Sequence, residues 1–203
     1  MDLLFQYPYP SLPSYPSLSY PLPYPLPYIF IFDVDNTIIG NVDYIGHEVV
    51  ILDIITNKHS NNNYNITKEL KTGLLRPYFK DFINFIIMKY KYVELYIYTN
   101  SPYDWTNNYT IPNIEKVIGK KFNKPYFTRE NTNKRNKLLG NIFDIIINNL
   151  KSKYPYLNDI KNIEYVFNNQ LVFIDDIKNN LKDYPQKQIL CPEYNYKDYY
   201  KDG

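Results

Sequence analysis

The chain has 203 residues, of which 44% are hydrophobic and 22% charged, with a formal net charge of +2 at pH 7. This size and composition fit one globular domain, and the small net charge gives no indication of a nucleic-acid partner. No apolar run reaches the roughly 18 residues of a membrane span, the N-terminus does not resemble a signal peptide, and Cys191 has no partner for a disulfide. We therefore expect an intracellular protein, cytoplasmic or nuclear, that is neither secreted nor bound to a membrane.

Residues 1–27 differ in composition from the rest of the chain. They are rich in Pro, Tyr, Ser and Leu, and Asp2 is their single charged side chain. Closely spaced prolines prevent both helical and sheet hydrogen bonding, so this segment is predicted to be an extended, disordered arm. Residues 28–203 are predicted to form the folded domain.

The first predicted strand, 29–32, is followed by two aspartates one residue apart. Its next five residues, 33–37, read D-V-D-N-T. Because side chains alternate along a strand, Asp33 and Asp35 leave its end on the same side, where ligands bind in open α/β sheets. Two such carboxylates repel each other unless a cation lies between them or one keeps a proton. The pair therefore suits a Mg²⁺ site with a nucleophile and an acid/base group, and the alternative is a solvated turn.

Beyond this strand, the spacing of apolar residues predicts alternating helices and strands. We predict a strand or hairpin at 44–52, a helix from Pro77 to Tyr90, a strand at 93–98, a short helix at 114–117, a strand at 126–128, a helix at 139–150, and strands at 171–174 and 188–191. This order indicates an α/β fold with a Rossmann-like, doubly wound parallel sheet and a small β insertion at 44–52. The stretch between the D-x-D-x-T motif and Thr99 is too short for a large helical cap domain, so we expect an open site that admits a protein segment.

Two further predicted strands end in polar groups. Thr99, Asn100 and Ser101 follow the strand at 93–98, and their hydroxyl and backbone N–H groups could hold a phosphate. Asp175 and Asp176 follow the strand at 171–174. Because carboxyl ends of parallel strands meet at one edge, these groups are predicted to form a single site with Asp33 and Asp35.

These motifs carry a resemblance to a known family. The order D-x-D-x-T, strand-Thr, basic residue, strand-Asp-Asp resembles the haloacid dehalogenase superfamily. Within it, segments 75–82, 94–101 and 127–130 resemble the small CTD phosphatases of the NLI-interacting-factor type, which act on the C-terminal domain of RNA polymerase II. The resemblance covers about residues 28–192. It implies a haloacid dehalogenase type of sheet and a Mg²⁺-dependent phosphoserine/phosphothreonine protein phosphatase, with a phosphorylated protein segment such as the RNA polymerase II tail as partner.

The resemblance also implies a role for each acidic residue. Asp33 would be the nucleophile that forms an aspartyl-phosphate, and Asp35 the general acid and then base. The metal ligands would be the Asp33 carboxylate, the Asp35 carbonyl and one of Asp175 or Asp176. Asp176 is preferred, because the family uses the second residue of that pair.

On the phosphate side, Thr99 and the Asn100 N–H would hold the phosphate oxygens. Either Lys134 or Lys137 would supply the positive charge that the phosphate needs. Lys137 is preferred, because the K-L-L sequence that it begins resembles the family's K-x-L.

Arginine occurs only at Arg76, Arg129 and Arg135 in a chain rich in lysine. This choice indicates that these positions need the planar guanidinium group, which lysine lacks. The resemblance implies that Arg129 contacts substrate phosphate. The alternative is a surface ion pair with Glu130 or a neighbour. Arg76 is predicted to hold a loop in place.

Two other functions compete with a protein phosphatase. One is a nucleotide or nucleic-acid-end phosphatase of the same superfamily, and the absence of a basic stripe argues against polynucleotide ends. The other is a non-catalytic module that binds phosphopeptides or Pro-rich tails. The presence of Asp33, Asp35, Thr99 and Asp176 argues against that module.

Overall fold

The computed structural model of the chain describes residues 25–40 and 65–195. In chain order these residues form β1 (Tyr28–Phe32), α1 (Ile66–Glu69), α2 (Phe79–Lys89), β2 (Val93–Ile97), α3 (Ile111–Ile118), α4 (Phe143–Lys151), α5 (Ile160–Asn169), β3 (Leu171–Asp175) and β4 (Gln188–Leu190). The predictions for the arm up to residue 24, for the β insertion at 44–52 and for the absence of a cap lie outside the described residues.

The four strands form one parallel sheet in the order β2-β1-β3-β4. Phe32 is in register with Ile97 on one side and with Ile174 on the other. The α/β class and the parallel, Rossmann-like sheet predicted from the sequence are therefore confirmed.

Alternation along the strands divides the core into two layers, one on each face of the sheet. Ile29 and Ile31 pack on the first face with α4 and α5, and Phe30 and Phe32 pack on the second face with α1, α2 and α3. No helix in the described parts of the chain combines the length and apolar character that a membrane span requires.

The prediction of a strand at 126–128 is wrong. Phe127 makes only an isolated bridge to Tyr98, through hydrogen bonds from Phe127 N to Ile97 O at 3.0 Å and from Thr99 N to Phe127 O at 2.9 Å. The extended chain stops there because Thr128 caps the 3₁₀ turn Arg129–Asn131, where the Thr128 N–H donates to Asn131 Oδ1 at 2.9 Å.

One predicted helix begins later than expected, and one helix of the structure was not predicted. The stripe at 139–150 begins as a 3₁₀ turn, Leu139–Asn141, and becomes α-helical only at Phe143. Helix α5 was not predicted, because only Val166 on it is fully buried. Its start is set by a cap, since the Asp159 side chain accepts from Lys161 N at 2.9 Å.

Adjacent isoleucines on α4 test the packing of the first layer. Ile146 is 0% exposed and Ile145 is 39% exposed. Truncation of Ile146 to alanine leaves a cavity, so we expect Ile146→Ala to lower the free energy of unfolding by about 2–5 kcal/mol. Ile145→Ala, with the same change in helix propensity, should cost less than about 1 kcal/mol. Urea unfolding followed by circular dichroism measures both, and equal losses would contradict the proposed layer.

Candidate active site at the carboxyl end of the sheet

The carboxyl ends of β1, β2 and β3 bring the predicted site residues to one edge of the sheet. Asp33 follows β1 directly, and its N–H donates to Ile174 O at 2.9 Å. Thr99 lies two residues beyond β2, and Asp175 is the last residue of β3. The parallel register therefore makes neighbours of side chains that are far apart in sequence.

A buried ammonium group joins two of these carboxylates. Lys137 is 1% exposed, and its Nζ lies 2.5 Å from Asp33 Oδ1 and 2.8 Å from Asp175 Oδ2. The Lys137 backbone is held by Lys182 N, which donates to Lys137 O at 3.0 Å. Asp33 and Asp175 are buried as well, so all three groups interact out of contact with bulk water.

Burial and like charge act together on Asp33. Burial raises its pKa most, Asp175 and Asp35 raise it further, and Lys137 lowers it, with a resulting pKa of about 7. Burial lowers the pKa of Lys137, but Asp33 and Asp175 together raise it above its usual value. Lys137 therefore stays charged, while the raised pKa of Asp33 means that its charged form lacks full positive compensation.

Asp35 has different partners from Asp33. It is half-buried, and its Oδ2 accepts from Ser101 Oγ at 2.6 Å and, more weakly, from Thr99 Oγ1 at 3.4 Å. The Thr99 hydroxyl oxygen is itself fixed by Ser101 N, which donates to it at 3.1 Å. The two aspartates of the first motif are thus turned toward different strands, Asp33 toward β3 and Asp35 toward β2.

Asp175 and Asp176, the acidic pair at the end of β3, also have different partners. Asp175 accepts from Lys137, from Asn180 Nδ2 at 2.9 Å and from Ile177 N at 2.7 Å, so three donors already hold its carboxylate. Asp176 Oδ1 accepts from Thr37 Oγ1 at 3.0 Å, and burial raises the pKa of Asp176. Asp176 therefore has more capacity left for a further ligand than Asp175 has.

The donor set fits a hard cation. Asp33, Asp175 and Asp176 each offer a carboxylate oxygen, and these oxygens all lie within 4.8 Å of one another. The charges of Asp35 and Asp175 raise the pKa of Asp33, so a cation at this point would relieve the repulsion among the carboxylates. An all-oxygen set suits a hard cation such as Mg²⁺, which prefers oxygen ligands.

The two lysines predicted as the basic group of the site lie in different surroundings. Lys137 contacts the carboxylates, whereas Lys134 is exposed, with φ 48°, in a turn closed by hydrogen bonds between Asn133 and Asn136. The described contacts thus bring Lys137, and not Lys134, onto the acidic cluster.

Arg129 lies beside the phosphate cradle predicted after β2. Its Nε donates to Asn100 O at 2.8 Å, and its N–H donates to Ser101 O at 3.0 Å. Within the described chain it forms no salt bridge with Glu130, whose carboxylate accepts from Thr128 Oγ1 and from Tyr103 N at 3.4 Å. Burial acts to raise the pKa of Glu130, but hydrogen bonds from Thr128 and from backbone N–H groups, together with the charge of Arg129, hold it below its usual value.

Arg76 holds the loop after Asp35, as predicted. Its Nε donates to Thr37 O at 2.5 Å, and its Nη2 donates to Asn36 O at 2.7 Å and to Pro192 O at 2.6 Å. Three carbonyls on one guanidinium require the planar fork of arginine. This clamp fixes the backbone from which Thr37 reaches Asp176.

Three supporting residues have partners that the sequence analysis did not predict. Thr37 and Ser101 stood inside recognised motifs, but their partners Asp176 and Asp35 follow only from the fold. Asn180 lies in an irregular segment five residues after Asp175 and had no local signal.

Comparison with known proteins adds no family assignment. No protein-family model matches the chain, and a search of curated proteins finds no matching relative. The resemblance to the haloacid dehalogenase superfamily therefore stays a hypothesis, which rests on the motifs and on the geometry of this edge.

The two lysines give a matched test of the buried cluster. Lys137→Ala would leave Asp33 and Asp175 buried without their ammonium partner, so we expect a loss of about 3–5 kcal/mol in the free energy of unfolding. Lys134→Ala removes an exposed side chain and should change stability by no more than about 0.5 kcal/mol. Denaturant unfolding of both variants measures the difference. An equal effect would mean that Lys137 is not held between the carboxylates.

Proposed function

We propose that this chain is a Mg²⁺-dependent phosphatase that acts on phosphoserine and phosphothreonine in protein segments. One observation carries the proposal. Asp33 and Asp35 stand two residues apart at the end of β1, yet Asp33 is bound to a buried ammonium and Asp35 to hydroxyls. Different surroundings for two neighbouring carboxylates support different roles for them, a nucleophile and an acid/base group.

Asp33 is the nucleophile in this proposal. One of its oxygens forms a bond to phosphorus while the bond to the serine or threonine oxygen breaks, which gives an aspartyl-phosphate. Lys137 donates to Asp33 Oδ1 at 2.5 Å, and this bond orients the carboxylate. The same ammonium offers positive charge near the phosphoryl oxygens as their negative charge is redistributed.

Asp35 handles the proton. In the first step it protonates the leaving serine or threonine oxygen, and in the second it removes a proton from the water that attacks the aspartyl-phosphate. The Ser101 hydroxyl, 2.6 Å from Asp35 Oδ2, holds the carboxyl group in one orientation for both transfers. Thr99 Oγ1, the Asn100 N–H and Arg129 would bind the remaining phosphate oxygens.

The metal would be held by the Asp33 carboxylate, the Asp35 carbonyl and the Asp176 carboxylate. A bound Mg²⁺ supplies Lewis-acid charge that neutralises the phosphoryl oxygens. Asp176 is the better candidate of the last pair, because Asp175 already accepts three hydrogen bonds, including that from Lys137. Asp175 then serves to position Lys137.

A protein segment is the substrate that we infer. The stretch between the first motif, which ends at Thr37, and the second, at Thr99, is too short for a large helical cap domain that would enclose a small metabolite. The net charge of +2 offers little attraction for a polynucleotide.

Phosphate release from a phosphopeptide panel and a nucleotide panel, each with and without Mg²⁺, tests the proposal. We expect turnover of phosphoserine and phosphothreonine peptides that disappears when Mg²⁺ is removed. Preferred turnover of nucleotides would favour the nucleotide phosphatase instead. Peptide binding without turnover would indicate a binding module.

The nucleophile has its own prediction. Asp33→Asn should abolish turnover, because an amide cannot form the aspartyl-phosphate, while the protein still unfolds cooperatively on heating. Asp144→Asn removes an exposed carboxylate on α4 and serves as the matched control, with activity unchanged. Activity of Asp33→Asn near that of the unmodified protein would exclude Asp33 as nucleophile.

The acid role predicts a dependence on the leaving group. Asp35→Asn should lose about 10²–10⁴-fold in kcat on alkyl phosphates such as phosphoserine peptides. The loss should be clearly smaller on an aryl phosphate, whose leaving oxygen needs less protonation. Rates for both substrate types give the comparison, and equal losses would remove Asp35 from the acid role.

A further inference from the structure

The loop 129–137 joins two residues of the candidate site and carries an excess of positive charge. It begins at Arg129, beside the predicted phosphate cradle, and ends at Lys137, which is buried between two carboxylates. Four side chains of this loop are basic and one, Glu130, is acidic, whereas the whole chain has a net charge of only +2. Positive charge is therefore concentrated in a segment that adjoins the site.

Two of these four basic side chains have no anionic partner. Lys137 contacts carboxylates, and Arg129 donates to a backbone carbonyl. Lys134 and Arg135 are exposed, and neither forms a salt bridge with any carboxylate of residues 25–40 and 65–195. These two cations are therefore available to a ligand of negative charge.

The backbone that carries Lys134 and Arg135 is strained. Asn133 N donates to Asn136 O at 3.0 Å and Asn136 N donates to Asn133 O at 2.8 Å, so residues 133–136 form a closed hairpin turn, the basic turn. Its two central residues have φ 48° and 70°, a conformation that favours Asn and Gly. A Lys-Arg pair does not stabilise such a turn, and strain of this kind is typical of functional positions.

The basic turn is held in place beside the site by a buried hydroxyl. Tyr98 is 0% exposed, and its hydroxyl donates to Asn131 O at 3.0 Å and accepts from Leu138 N at 3.1 Å. Both arms of the turn are thus fixed to the end of β2. Arg135 lies two residues before Lys137, so their Cα atoms are no more than about 7 Å apart.

We propose that the basic turn selects substrates that carry a second negative group a few residues from the phosphate that is removed. This inference rests on the proposed function and adds the substrate class, acidic or multiply phosphorylated protein segments. An extended peptide advances about 3.3 Å per residue, so a group roughly two to four residues from the phosphoserine comes within reach of Lys134 and Arg135.

A second phosphate and a carboxylate share the chemistry that the basic turn would recognise. The guanidinium of Arg135 can bind either of them through two parallel N–H bonds, and Lys134 adds a second positive charge. Because both loop arms are already fixed, little conformational freedom of the backbone is lost when the anion binds.

Binding of matched peptides tests the selection without any need for turnover. Each peptide has one phosphoserine and, roughly three residues away on either side, a serine, a glutamate or a second phosphoserine. Fluorescence anisotropy with the Asp33→Asn protein and Mg²⁺ gives the dissociation constants. We expect the doubly phosphorylated peptide to bind about tenfold more tightly than the serine peptide, and the glutamate peptide to lie between them.

This preference should decrease as salt is added, because exposed charge pairs are screened. Equal dissociation constants for all the peptides at low salt would overturn the proposal. Preference for the second phosphate alone would identify phosphate, and not a carboxylate, as the group that is recognised.

Three double variants in the Asp33→Asn background assign the preference to the basic turn. Lys134→Asn with Arg135→Gly removes both charges and gives the turn its favoured sequence, so the fold should be kept, with an equal or higher urea midpoint, and the preference lost. Lys134→Arg with Arg135→Lys keeps both charges and should keep most of the preference. Lys116→Asn with Lys161→Asn removes two exposed charges from α3 and α5 and should leave it unchanged. An equal loss in this last variant would contradict a role of the turn.

Turnover by the unmodified chain separates this inference from the proposed function. Turnover with the same kcat/KM on serine and doubly phosphorylated peptides would overturn the selection alone. A binding preference without turnover of any peptide would refute the phosphatase and retain the selection. Tighter binding of a 5′-phosphorylated oligonucleotide than of any peptide, lost in Lys134→Asn with Arg135→Gly, would replace the proposal with recognition of nucleic-acid ends.

Discussion

The buried contact of Lys137 with Asp33 and Asp175 is the interaction on which the rest of the site depends. It joins the ends of β1 and β3 to a segment that lies 104 residues beyond Asp33 in the chain. In a low-dielectric interior the ammonium and carboxylates attract strongly, but each has lost its hydration, so the arrangement is stable only when all partners are present. The parallel register of the sheet supplies that condition, because it places Asp33 beside Asp175.

The surroundings of this contact give the two aspartates of one motif different partners. Asp33 shares an ammonium with Asp175, whereas Asp35 is held by the hydroxyls of Ser101 and Thr99. A further layer keeps these groups in place. Arg76 binds the carbonyls of the loop that carries Thr37, and Thr37 binds Asp176. The functional edge is therefore organised through the backbone as much as through its charges.

The same sheet that organises the site is unevenly covered. Helices α1 to α3 bury the β2 and β1 side of the second face, and the apolar rows of β3 and β4 are progressively exposed. The candidate site and this partly exposed face belong to one parallel sheet, the first at its carboxyl ends and the second on one of its faces.

Local patterns in the sequence determined the strands, the parallel α/β class and the acidic and hydroxyl residues that follow the strands, because alternation and strand ends are properties of a few consecutive residues. Local patterns did not determine which of Lys134 and Lys137 contacts the carboxylates, because that contact joins distant segments. The partners of Arg129 and Asp35 and the role of Asn180 were not determined for the same reason. The prediction of a strand at 126–128 was wrong because Thr128 caps the following 3₁₀ turn, which ends the extended chain. Only the tertiary structure, through strand register and burial, decided which charged groups contact one another and which of them are desolvated.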